Sequence, residues 1–203
     1  MNWRFSAIDI IEDYKFHNAL DDFYQHGVTG LIRENIQNSL DAKIKESKDP
    51  VIIDIEIGEI EYENLPGIET IRDRIFSLKS KNDFENKTIK HMQSILKNTP
   101  KQVSYMSIED NNTQGLDGAK EGYNKDDPTK YQAYAYSKGI NEKTENEEYA
   151  SGGSHGVGKI ASNAASDLHL MYFSNHDQEG YETLGGNVQL IDHEFRGTAY
   201  RGT

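Results

Sequence analysis

Cysteine is absent from all 203 residues. That removes disulfides, thiolate nucleophiles, zinc fingers and cysteine-ligated iron–sulfur clusters together, and it fits a reduced, cytoplasmic compartment. Long apolar runs are missing as well: nothing approaches the roughly 20 residues that cross a bilayer as a helix. The N-terminal segment carries Asp9, Glu12, Asp13, Asp21 and Asp22, unlike a signal or transit peptide. No membrane partner is expected. Positive charge is also scarce, with 22 Lys and Arg against 34 Asp and Glu and a net charge of −12. A negative field repels phosphate-rich partners, so an autonomous duplex-DNA or anionic-membrane binder is disfavoured, and any nucleic-acid contact is expected through another domain. Of the seven histidines, His91, His155, His169, His176 and His193 show no metal-ligand spacing.

What remains is a single domain of ordinary size, expected to bury roughly 70% of its unfolded surface. The mean hydropathy of −0.80 requires the apolar residues to be concentrated in a few segments. Residues 1–24 carry a helix-like rhythm (Phe5, Ile8, Ile11, Tyr14 or Phe16, Leu20) that His26-Gly27-Val28-Thr29-Gly30 breaks. From 31 to 46, Leu31, Ile32, Ile36, Leu40 and Ile44 predict a helix with one buried stripe, ending before Asp49-Pro50. Residues 51–57 predict a strand, as do 103–108, which alternate cleanly. Between them, Ile71, Ile75, Leu78, Ile89, Met92 and Leu96 predict two helices around 80–86, read as an insertion over 65–100 packed on the domain's edge. Residues 117–150 are the least hydrophobic stretch, and a loop of that length is usually functional or disordered. A glycine-rich turn at 151–158, a short helix at 157–165 and strands at 168–173 and 186–195 complete an α/β (α+β) two-layer sandwich with a mixed, mostly antiparallel sheet.

Three segments carry chemistry. Glu34, Asn38 and Asp41 fall at i, i+4 and i+7 of the second helix, on one polar strip. A carboxylate there can orient or deprotonate a water, and an amide oxygen one turn away is a hard ligand suited to Mg²⁺. The second segment, Glu109-Asp110-Asn111-Asn112-Thr113-Gln114-Gly115-Leu116, ends a strand in a carboxylate able to accept from an exocyclic amine, with Gly115 permitting close backbone approach. The third is Ser151-Gly152-Gly153-Ser154-His155-Gly156-Val157-Gly158-Lys159. Its glycines let backbone amides approach an anion at a helix start, where Lys159 adds a charge. It is not a P-loop, because Ile160 stands where that motif needs a hydroxyl. Taken singly, each segment also reads as something ordinary: a solvated helix face, a strand-to-loop turn, a flexible glycine loop.

In order and content the three together resemble the GHKL superfamily, the ATPases of the gyrase B, heat-shock-ninety, histidine kinase and MutL group. Glu34-x-x-x-Asn38-Ser39-x-Asp41-Ala42 is similar to its N-box, Asp110 to Leu116 to its adenine-binding box, and Gly152 to Gly158 to its second glycine box. The Asp-x-Asn-Thr-x-Gly-Leu spelling, with Asn112 where glycine is common, resembles a prokaryotic, MORC-like branch. The resemblance implies a Bergerat-type nucleotide fold with ATP and Mg²⁺ as cofactors. Glu34 would be the catalytic base, Asn38 the Mg²⁺ ligand, and Asp110 the acceptor for the adenine amino group. Asp41, Ala42, Asn112, Thr113, Gly115 and Leu116 would complete the adenine side. Gly152, Gly153, Ser154, His155, Gly156, Val157, Gly158 and Lys159 would wrap the phosphates, with residues 117–150 as a lid and 1–29 as a strap.

Relatives of this kind carry a transducer domain that couples closure to dimerisation. The chain is therefore expected to be the N-terminal part of a longer, ATP-dependent homodimer, or to meet a partner subunit. It would be a weak ATPase alone, serving a DNA- or protein-acting machine in anti-phage or DNA-maintenance systems. The alternatives are a nucleotide-gated interaction module with negligible hydrolysis and a histidine-kinase-like phosphotransfer domain. Against the latter, His17 and His26 lack a dimerisation-helix heptad.

Overall fold

A computed structural model describes residues 3–11, 14–98, 101–121, 129–136 and 160–202. The chain is a mixed α/β protein, and every strand pair among the described residues is antiparallel. The order is β1 (Ala7–Ile8), α1 (Asn18–Asp41), β2 (Ile52–Glu61), α2 (Ile68–Ser77), α3 (Asp83–Lys97), β3 (Gln102–Asn111), α4 (Lys130–Tyr136), α5 (Ile160–Ala164), β4 (Leu170–His176), β5 (Glu182–Val188), β6 (His193–Phe195) and β7 (Thr198–Tyr200). β2 pairs with β3 over their full length, Ile52 opposite Asn111 and Glu61 opposite Gln102. β4 pairs with β5, and β1-β7-β6 form a small third sheet. Among the described residues no helix is long and apolar enough to cross a membrane.

The principal core belongs to the helical pair expected on the edge. Ile68, Ile71, Ile75 and Leu78 from α2 and its C-cap meet Ile89, Met92 and Leu96 of α3, all buried, and Val188, Leu190 and Ile191 close over them. Their spacing of three and four puts each set on one helix face. Asn82 caps α3, its side chain accepting from the Phe84 amide at 2.8 Å. The pair is thus central rather than peripheral, and Val103 of β3 packs against it.

Three expected boundaries are corrected. Residues 3–8 are not helical; Ala7–Ile8 pairs with β7. Trp3 and Phe5, two residues apart, reach Tyr172 and Arg74, a strand-like alternation that the longer rhythm obscured. α1 starts at Asn18 and runs through the break at Gly27, which survives as a kink with φ 52°. It stops at Asp41 rather than near 46, because the next residues pair with another segment: Lys43 bridges Thr113. Of its expected buried stripe Leu31 is buried, but Leu40 is 52% exposed and Ile36 reaches the surface, since α1 packs on α5 mainly through Leu20 and Phe23. Finally, the strand expected over 186–195 is two strands. β5 ends at Val188, and β6 turns into β7 at Arg196-Gly197, both at positive φ, the two-residue turn suited to a hairpin.

Candidate functional site

The end of α1 and the loop after β3 meet at one cleft. The Gln114 amide donates to the Ala42 carbonyl at 2.8 Å, and the Gln114 side chain donates to the Lys43 carbonyl at 3.2 Å. This backbone tie brings two of the three expected segments together from positions about seventy residues apart. Asn38, Asp41, Ala42, Asp110, Asn112, Thr113, Gly115 and Leu116 all line the cleft, whose volume is about 3110 Å³. That is several times the roughly 300–1,000 Å³ of a typical ligand pocket, so a small molecule would occupy one corner of it.

The corner around Asp110 is tightly specified. The Thr113 hydroxyl donates to Asp110 Oδ1 at 2.9 Å, a local turn that fixes the carboxylate. Asn112 takes the left-handed conformation at φ 64° and donates from Nδ2 to the Pro50 carbonyl at 2.7 Å. Asparagine tolerates that backbone better than other side chains bearing a Cβ. On the α1 side, Gln37 Nε2 donates to Asp41 Oδ1 at 2.8 Å, and the Asn38 side chain is exposed to the cleft. Glu34 is half-buried and is not among the described lining residues. The expected phosphate loop, Gly152, Gly153, Ser154, His155, Gly156, Val157, Gly158 and Lys159, lies outside the described residues, as does most of the expected lid.

Two residues of the cleft escaped the sequence reading. Tyr134 projects from α4, which opens with a reciprocal cap: the Thr129 hydroxyl accepts from the Gln132 amide and the Gln132 side chain from the Thr129 amide, each at 3.3 Å. Tyr131 and Tyr134 set their edges against Phe173 of β4, with centroids 6.2 and 5.2 Å away. Burial pushes the Tyr134 phenol above its ordinary pKa, and the Asp110 carboxylate adds to the shift. A Tyr-x-x-Tyr pair inside an otherwise polar segment was the available signal. The second is Asn175, buried at the end of β4 and bonded to Leu116, for which the sequence held none.

Chemically, the described wall offers carboxylates, amides and an aromatic edge. Lys130 is its only lysine, and that ammonium lies 3.2 Å from Asp117. Such a wall suits a group that donates hydrogen bonds, as an exocyclic amine does. Comparison with family models, with curated proteins and with solved structures gives no match for this chain.

Proposed function

We propose that the chain binds ATP with Mg²⁺ and hydrolyses it weakly, as a GHKL-type ATPase module of a larger, dimerising, cytoplasmic machine acting on DNA or protein. The observation that carries this reading is the tie between Gln114 and Ala42, which draws the Asn38–Asp41 turn and the Asp110 loop onto one cleft. Asp110 accepts from the adenine amino group, with the Thr113 hydroxyl holding its second lone-pair direction. Asn38 is the protein's ligand to Mg²⁺. The donor set fits, because the carboxamide oxygen of Asn38, which lines the cleft, is a hard ligand of the kind that Mg²⁺ takes. When bound, the ion neutralises charge on the transferring phosphoryl group. Glu34 orients and deprotonates the attacking water.

The position of Glu34 outside the described lining favours a second reading, in which nucleotide occupancy gates partner association without hydrolysis. Calorimetric titration with ATP and Mg²⁺, with phosphate release followed in the same samples, separates the two. Binding lost in Asp110→Ala with release lost in Glu34→Ala supports the ATPase. Binding with no release supports the gated module, and no binding of any adenine nucleotide sinks both.

A further inference from the structure

We infer that Asn175 is a positioning residue for the proposed nucleotide site, its buried carboxamide holding the loop after Asp110 in the register that presents Asp110 to the cleft. The inference rests on the ATP-binding reading above. Asn175 is 9% exposed. Its Oδ1 accepts from the Leu116 amide at 2.7 Å, and its Nδ2 donates to the Leu116 carbonyl at 2.9 Å. One acceptor and one donor facing both backbone groups of a single residue reproduce what a neighbouring strand offers. Of the uncharged side chains only Asn and Gln carry that pair on one amide, and Gln is a methylene too long.

The neighbouring contacts show how closely the loop is pressed on β4. Gly115 has φ 65°, and a Cβ there would lie 2.2 Å from the His176 carbonyl oxygen and 3.2 Å from Asn175 Oδ1. The loop is therefore clamped at Leu116 by β4 and at Gln114 by the Ala42 carbonyl of the α1 end. Asp110 and the Thr113 hydroxyl that fixes it stand immediately before these two anchors. Releasing the Leu116 anchor leaves two backbone groups without partners and frees the carboxylate that is to meet the ligand.

The test uses the full chain, with ATP and Mg²⁺ as the probe, in wild type, Asn175→Ala and Asn175→Asp. Asn175→Ala should weaken binding about ten-fold or more, the scale of one lost buried polar anchor. Asn175→Asp supplies a pH signature that general loosening does not. A protonated carboxyl donates and accepts as the amide does, whereas a carboxylate opposes the Leu116 carbonyl. The ratio of variant to wild-type affinity should approach one at acid pH and fall as pH rises. Amide hydrogen exchange without nucleotide gives an independent arm: Leu116 should lose protection in Asn175→Ala while Ile71 and Met92 keep theirs. Wild-type affinity in Asn175→Ala, or a flat ratio in Asn175→Asp, overturns the inference. If wild type binds no ATP, the ATP reading fails by itself, and unchanged Leu116 protection in Asn175→Ala then overturns the clamp separately. Should Asn175→Ala not fold, the ratio in Asn175→Asp decides.

Discussion

The Arg74 guanidinium lies 4.0 Å from the centroid of the Tyr200 ring, with Phe195 at 4.3 Å and Phe5 at 4.5 Å. Arg74 is 8% exposed, and its Nη1 lies 3.3 Å from His193 Nε2 of β6, while among the described residues no ion pair reaches it and its Nε has no hydrogen-bond partner. Burial draws its pKa down, opposed by the hydrogen bond with Tyr200. The cation thus pins α2 to the β1-β7-β6 sheet by ring attraction and by packing of its stem. Arg74→Ala should cost about 2–4 kcal/mol in urea unfolding, the scale of a large buried truncation. Arg74→Met keeps the stem and removes the burial cost of the charge, so it should lose less than about 1.5 kcal/mol. Equal losses in the two variants would mean that the charge on the rings, not the stem, holds the sheet.

Tyr24 and His169 make the clearest pH prediction. His169 Nδ1 faces the Gln189 carbonyl at 3.1 Å and so carries the proton, leaving Nε2 to accept from the Tyr24 hydroxyl. Burial lowers the His169 pKa from 6.5 to about 4, against a smaller raising effect from the Gln189 carbonyl. Because the folded value lies below the unfolded one, the unfolded chain binds more protons between them, and stability rises with pH. This contribution is complete above 6.5 and disappears as pH falls toward about 4. At 1.36 kcal/mol per unit it amounts to about 3 kcal/mol. Urea midpoints measured across that window should show a shallower slope in His169→Asn, and an unchanged slope there would mean that His169 does not carry the dependence.

How much was legible in the sequence depended on whether local pattern or distant contact decided each element. Ile71, Ile75, Leu78, Ile89, Met92 and Leu96 announced α2 and α3 because helix period and burial coincide there. Their place at the centre did not follow, since periodicity shows that a face is apolar and not what covers it; the cover is Val188 to Ile191, a hundred residues on. The end of α1 was misplaced because Ile44 continues the helical spacing while Lys43 is drawn out to Thr113. In the cleft, Asp110, Asn112 and Gly115 were legible as turn chemistry, because a carboxylate and a left-handed Asn can be recognised locally. Asn175 was not, since its role exists only when β4 lies against Leu116.

Gly115 and Gly197 separate backbone strain from steric contact. Both have positive φ, 65° and 78°, but a Cβ on Gly197 meets nothing within 4 Å, whereas one on Gly115 would strike the His176 carbonyl at 2.2 Å. Gly197→Ala should cost only the left-handed penalty, about 1–2 kcal/mol. Gly115→Ala carries that penalty and must also move the loop off β4, so it should cost more and should expose the Leu116 amide to exchange. Equal costs for the two substitutions would mean that the loop yields freely.

Ile71 and Ile57 test where the stability resides. Ile71 is fully buried between α2 and α3, while Ile57 on β2 is 73% exposed. It shares the face of the β2–β3 ladder that carries Ile55, Met106 and Ile108. Were that face the main core, Ile57 would matter as much as Ile71. The burial says otherwise. Ile71→Ala should lose about 2–5 kcal/mol through lost transfer energy and the cavity left behind. Ile57→Thr keeps the β-branch and removes little buried surface, so it should stay within about 0.5 kcal/mol of wild type. Urea unfolding of the two variants decides it: a loss in Ile57→Thr comparable to that in Ile71→Ala would mean that the ladder's apolar face is covered in the folded protein and carries a second core.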